Sequence, residues 1–294
     1  MLLDLRRDML PKNFYQDVEK PNFLKYILYS DTDSIFIVVP FNVTDTPLDQ
    51  RWKLAEEAAT GINNAIQAYL NNYILPKCNI DPSQNKTFFK TEMVFDSILF
   101  LDVKKNYAYK LLIKEGKVIP NPEVKYTGIQ VKKSNTATLT KDLLKEMIEG
   151  ISLNSEIPNS QRINKLTEAV NKYHQIFLDD IKSYNFEKIG LPVRWQKGEL
   201  AINGMKVYNF IMGKETFSHS SAGRFIYCRF QNTLKLKALQ DIEFKGITVP
   251  FVYNHLDLQE KMKQFGIEID GDKHWDTLFT TTCQRVIEVV KTTK

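Results

Sequence analysis

The 294 residues are 43% hydrophobic and 26% charged with a net charge of +5, a composition that fills one large or two medium cores, two being expected. The longest apolar runs, such as Ile35 to Val39 and Ile98 to Leu101, fall far short of the roughly 20 residues that span a bilayer, and Leu2 and Leu3 run at once into Asp4, Arg6, Arg7 and Asp8, unlike a secretory signal. A cytoplasmic protein is expected, and the scattered Cys78, Cys228 and Cys283 argue against a disulfide framework or a zinc site and are read as buried thiols.

Residues 1 to 20, broken by Pro11, read as a short helix or arm. Tyr26 to Tyr29 and Ile35 to Val39 are β-branched and aromatic runs on either side of the polar Ser30-Asp31-Thr32-Asp33-Ser34, which predicts a hairpin of two buried strands with a polar tip. From Arg51 to about Tyr73 the residues Leu54, Ala58, Ile62, Ala65, Ile66, Tyr69 and Leu70 recur at helical spacing, with Pro76 as the expected stop. Strand-like pieces follow at 87–95, 97–103, 107–113, 117–119 and 124–131, with Glu115-Gly116 as a tight turn. Helices are expected at 138–151 and 160–183, then shorter elements from Gly190 to Phe251, then a helical region at 255–291 interrupted at Ile269 to Asp272. The change of pattern puts a domain boundary near Ser134.

Charge is concentrated in one stretch. Between Leu101 and Lys133, eight lysines (104, 105, 110, 114, 117, 125, 132 and 133) outnumber Asp102, Glu115 and Glu123 by the whole of the net surplus. Nucleic-acid binders gather lysine and arginine in this way. The four histidines, His174, His219, His255 and His274, have no metal-ligand spacing, and a lone histidine is more often structural.

Two aspartates at a hairpin tip suit a divalent cation. Nucleotidyl transfer uses one cation to lower the pKa of the attacking hydroxyl and another to neutralise the departing pyrophosphate, about 3.5 to 4 Å apart. Mg²⁺ prefers hard oxygen ligands and keeps several waters, so one or two carboxylates and the substrate phosphates suffice. Flanking strands fix such a tip, and Thr32 and Ser34 are small enough to admit a phosphate. A second Asp-x-Asp, Asp270-Gly271-Asp272, has a central glycine and mixed flanks and reads as a turn.

Tyr29-Ser30-Asp31-Thr32-Asp33-Ser34 resembles the Tyr-Gly-Asp-Thr-Asp-Ser motif of family B DNA polymerases, with Ser30 where glycine is usual. The resemblance implies that Asp33 is the metal ligand, that Asp31 lies beside it near the primer terminus, and that Tyr29, Thr32 and Ser34 support this catalytic pair. Lys104-Lys105-Asn106-Tyr107 resembles the family's Lys-Lys-Arg-Tyr segment, which implies contacts from Lys104 and Lys105 to the duplex and places Tyr107 near the primer strand. Lysines of this kind neutralise phosphates without reading sequence. Lys125 to Lys133 resembles the Lys-Gly-Ile-Glu-x-x-Arg-Arg segment that ends the palm. Lys132 and Lys133 stand where arginines are usual, which keeps the charge and loses the bidentate fork. The later half is similar to the thumbs of polymerases from large tailed phages, with His219, Gly223, Arg224 and Tyr227 in a stretch like their second thumb portion.

The implied fold is α+β: an antiparallel palm sheet backed by helices over residues 1–133, then a mainly helical thumb with a small β portion over 134–294. Two further family motifs do not occur, Asp-x-x-Ser-Leu-Tyr-Pro and the fingers motif Lys-x-x-x-Asn-Ser-x-Tyr-Gly. The expectation is therefore a C-terminal subunit or fragment of a DNA-directed DNA polymerase. An N-terminal chain would supply exonuclease, fingers and the rest of the palm, share two Mg²⁺ ions, and act with it on primer–template DNA and dNTPs, in an infected bacterial cell if the gene is of phage origin. Sliding-clamp contact stays open, since Gln284, Ile287 and Val289 only faintly echo a clamp peptide and a terminal core helix is the preferred reading. Two alternatives are a noncatalytic DNA-binding subunit and a metal-dependent glycosyltransferase, the latter accounting for the acids but not the lysines.

Overall fold

A computed structural model describes residues 27–30, 34–38, 46–88, 90–194, 206–211, 213, 222–230, 248–253, 258–280 and 282–292. The chain is α+β and packs as two compact units, one of residues 1–97 with 110–123, the other of 98–109 with 124–294. Packing therefore does not divide the chain near Ser134, as the change of pattern suggests. Ile129 and Val131 are buried in the same core as Leu143, Leu144 and Met147, which draws the segment before Ser134 into the second unit.

In the first unit, β1 (Ile27–Ser30) and β2 (Ile35–Ile37) form an antiparallel hairpin with Tyr29 opposite Phe36 and Ser30 opposite Ile35. The register slips between Ile27 and Tyr29, a bulge that bends the ribbon. The expectation of two buried strands is corrected: Leu28 is 44% exposed and Ile35, Phe36 and Ile37 are half-buried. Among the described residues these strands pair only with each other.

Helix α1 (Leu48–Tyr69) lays Trp52 and Ala55 against Val94, Leu112 and Ile113. Among its described side chains the buried ones are Ala55, Ala58 and Ala65, small residues that let the packed surface come close. Pro76 does not stop the run. The backbone widens into a π turn at Leu70–Ile74, with the Leu75 amide donating to the Leu70 carbonyl, and continues through α2 (Leu75–Lys77). Proline has no amide to give to the residue four before it and crowds that carbonyl, which favours such a widening. Cys78 caps the end and is exposed, so only Cys228 and Cys283 are the buried thiols expected.

Strand β3 (Met93–Phe100) is continuous where two pieces are expected, because Asp96 and Ser97 interrupt the apolar run without interrupting the strand. Lys110 on β4 (Tyr107–Lys114) stands 4.0 Å from Asp96. The tight turn is as expected: Glu115 and Gly116 have φ of 47° and 76°, and Lys114 pairs with Lys117 of β5 (Lys117–Val118). Positive φ at both central residues matches the right-handed twist of the flanking strands. β4 pairs with β3, β5 and β6 (Val124–Thr127).

The second unit has two cores. In one, α3 (Thr138–Lys145), a π turn at Glu146–Ser152, α4 (Asn159–Lys182) and α9 (Gln284–Thr292) bury Leu143, Leu144, Met147, Ile148, Leu166 and Val286 beneath Ala108, Ile129 and Val131. In the other, α5 (Phe186–Ile189), α6 (residues 206–211), α7 (Leu258–Gln264) and α8 (Gly271–Phe279) pack with β8 (Ala222–Phe230) around Phe177, Tyr208, Ile226 and Met262. β8 lies between β10 (Ile267–Ile269) and β7 (Leu191–Arg194) and also pairs with β9 (Thr248–Tyr253), always antiparallel. This is the mainly helical portion with a small β part that the sequence leads one to expect. Among the described residues, no helix is long and apolar enough to cross a membrane.

Candidate nucleic-acid interface

The hairpin expected to carry the aspartates is formed, and the ring of Phe36 lies 5.8 Å from that of Phe95, which fastens β2 to β3 within the first unit. Asp31, Thr32 and Asp33 lie outside the described residues; Ser34 is half-buried, and Tyr29 is placed by its backbone pairing with Phe36. Among the described residues no group of three or more His, Cys, Asp or Glu is arranged for a metal ion. The fit of a cation therefore rests on donor chemistry. Ser30 pairs with Ile35, so both carboxylates belong to the four residues that link the strands, and hard carboxylate oxygens are what Mg²⁺ takes.

The lysines lie among the described residues. The eight of the basic stretch divide between the units: Lys110, Lys114 and Lys117 belong to the first, and Lys104, Lys105, Lys125, Lys132 and Lys133 to the second. Those five, with Tyr107, are the residues singled out from the sequence for DNA contact.

Lys104 and Lys105 are exposed at the turn between β3 and β4. The Asn106 amide donates to the Val103 carbonyl at 3.1 Å and the Leu101 amide to the Asn106 carbonyl at 2.9 Å, so the turn is closed from both sides. Lys105 sits at φ 61°, a conformation L residues other than asparagine and aspartate seldom adopt. Tyr107 opens β4 half-buried, its ring 5.7 Å from Phe100 and 5.9 Å from Tyr109. Burial raises the pKa of the Tyr109 phenol, Tyr107 adds to this, and Lys125 on β6 opposes it. Lys125 thus lies within electrostatic reach of the same strand.

Gly128, just past β6, joins the two motif segments. With φ 68° it brings its backbone so close to the Lys105 carbonyl and the Asn106 side chain that an added Cβ would overlap both. The Lys104–Tyr107 segment and the Lys125–Lys133 segment therefore touch in space. After Gly128 the chain makes a 3₁₀ turn at Gln130–Lys132, with Ile129 and Val131 pointing into the core and Lys132 and Lys133 left in solvent. Lys104, Lys132 and Lys133 form no ion pair among the described residues.

Behind these turns, the Tyr126 hydroxyl donates to Glu149 on the π turn, and burial followed by Glu149 raises the phenol's pKa. Lys172 pairs with Glu146 at 2.7 Å, and burial followed by Glu146 pushes the Tyr173 phenol up to about 12. The composition of the motif segments gives no sign of these acid–phenol contacts, whose partners lie 23 and 27 residues apart in the chain. The glycine at 128 was the available signal for the close approach.

Other expectations resolve locally. Asp270-Gly271-Asp272, read as a turn, is the start of α8: Asp270 caps the helix by accepting from the Lys273 amide and pairs with Arg229 at 2.7 Å, while Gly271 and Asp272 are already helical. His274 is structural, fully buried, with Nε2 2.8 Å from the Ile189 carbonyl and Nδ1 accepting from the Tyr227 amide. Burial lowers its pKa to about 4. Arg224 donates to the Glu187 carbonyl, which occupies one arm of its guanidinium. His219 lies outside the described residues. α9 is a core helix as preferred, with Val286 fully buried and Ile287 and Val289 packed beside it. No protein-family model matches the sequence, and no curated protein is significantly similar to it.

Proposed function

We propose that this chain is the C-terminal part of a family B DNA polymerase, carrying one metal-binding aspartate of the palm, a grip on the primer–template duplex, and the thumb. The observation that carries the reading is the close contact of Gly128 with the Lys105 carbonyl and Asn106. It joins two motif segments separated in sequence, both basic, in the order and spacing the family resemblance requires. The α+β architecture and the hairpin under the Asp31–Asp33 motif agree with the same reading.

In this proposal Asp33 holds Mg²⁺, which supplies the activated primer hydroxyl and the neutralised leaving group. Asp31 lies beside it, and the missing palm strand, fingers and exonuclease come from a partner chain that binds dNTP and completes the two-ion site. Lys104, Lys105, Lys125, Lys132 and Lys133 neutralise duplex phosphates, and Tyr107 rests near the primer strand. Clamp contact is not part of the proposal, since α9 spends its apolar face in the core. The cellular site proposed is the cytoplasm, of an infected bacterium if the gene is phage-borne.

The test is binding of a short labelled primer–template duplex across a salt series. Each phosphate neutralised adds about 0.9 to the slope of log affinity against log salt, so Lys104→Ala with Lys105→Ala is expected to lower the slope by about two. Salt-independent binding, or retention of a nucleotide sugar in place of DNA, overturns the reading and favours a glycosyltransferase. A noncatalytic DNA-binding role is separated by the aspartate variant treated below.

A further inference from the structure

We infer that Thr282, 149 residues beyond Lys133 in the chain, is a positioning residue for the Lys132–Lys133 pair; the inference rests on the DNA-binding reading above. Thr282 lies in the link between α8 and α9 and is 7% exposed. Its hydroxyl donates to Oε1 of Gln130 at 2.7 Å. The same Gln130 accepts the Lys133 amide on its main-chain carbonyl at 3.0 Å, the bond that closes the 3₁₀ turn. Gln130 is therefore held at both ends, by side chain to the α8–α9 link and by main chain to the second lysine.

Its neighbours complete the clamp. Ile129 and Val131 are sunk in the core that contains Cys283 and Val286, the residues that follow Thr282. The Thr282 and Cys283 amides both donate to the Phe279 carbonyl, which ties these two residues to the end of α8. Three consecutive side chains, at 129, 130 and 131, thus moor the turn to the C-terminal helices, and with it the backbone from which Lys132 and Lys133 project. A cation mounted on backbone that is already ordered before binding loses less conformational freedom when it meets a phosphate. Nothing in the local sequence of the lysine segment announces this, because the mooring residue belongs to the far end of the chain.

The experiment uses the full chain and a short fluorescein-labelled primer–template duplex. Thr282→Val keeps the shape and removes the donor; it is expected to weaken binding about 3- to 10-fold at fixed salt with the salt slope unchanged. Thr282→Ser is expected to restore affinity. Lys132→Ala with Lys133→Ala is expected to lower the slope by about two, because phosphates are lost and not merely misaligned. Should Thr282→Val not fold, Gln130→Leu removes the acceptor at the half-buried end and serves the same comparison. Wild-type affinity in Thr282→Val, a slope that falls as in the lysine variant, or failure of serine to restore binding overturns the inference alone. Absence of wild-type binding, or no effect of the lysine variant, overturns the DNA-binding reading beneath it.

Discussion

Replacing Gly128 with alanine tests the contact on which the interface is built. Gly116 provides an internal control, since both glycines have positive φ, 68° and 76°. Moving an L residue into that region costs about 1 kcal/mol, and alanine returns part of it by restricting the unfolded chain. At Gly116 the nearest atoms to a new Cβ belong to the Trp52 ring at 3.7 Å, an ordinary contact, so the net loss expected is about 1 kcal/mol or less. At Gly128 the Cβ overlaps the Lys105 carbonyl and Asn106 Oδ1 and lies 3.1 Å from Asn106 Cγ. The side chain can rotate, but the carbonyl belongs to a turn closed by two main-chain hydrogen bonds, so the backbone itself must shift. Overpacking against backbone adds on the order of 2 kcal/mol, for a total of about 3. The two glycines lie in different units, so hydrogen exchange followed peptide by peptide under mild denaturant reads each separately. Equal losses at the two sites would refute the close approach. A loss at Gly128 with unchanged affinity for duplex would refute its part in the interface.

Two further outcomes follow from buried groups. Unfolded His274 titrates at its ordinary 6.5 and the folded residue at about 4, so the unfolded chain takes up the proton first as pH falls. Its contribution of about 3 kcal/mol is whole above pH 6.5 and is lost as pH drops through about 4; thermal melts of wild type and His274→Gln across that range should converge at the acid end, and parallel curves would contradict the assignment. Asp270→Ala removes the α8 cap and is expected to cost about 1 to 2 kcal/mol, whereas Asp270→Asn, which still accepts from the Lys273 amide, should lose less than about 1, the Arg229 partner being 55% exposed and its pair largely screened. Equal losses in a denaturant titration would mean the ion pair, and not the cap, dominates.

Local chemistry made much of the fold legible. Glu115-Gly116 demands positive φ and forms the expected turn, and the apolar spacing of residues 138–151 and 160–183 predicts α3 with its π extension and α4 within two residues. Where local pattern failed, a neighbour remote in sequence was the cause. The Asp96-Ser97 pair looks like a break, yet sits inside β3 with Lys110 opposite Asp96. Ile35 to Ile37 read as a buried strand, but burial depends on what lies over the strand, and these three are half-buried, with Phe95 against Phe36. For the candidate site, the glycine and lysines at 128, 132 and 133 were visible as residue types. Their meeting with Lys105, and the hold of Thr282 on Gln130, depend on contacts between distant parts of the chain that no local window contains.

The most direct test of the central claim is Mg²⁺-dependent extension of a labelled primer by the complex reconstituted with the chain that co-purifies, comparing wild type with Asp33→Ala. A metal ligand predicts normal duplex binding and extension slowed by about 10³-fold or more. Extension at the wild-type rate in Asp33→Ala would contradict a catalytic role and leave a DNA-binding subunit.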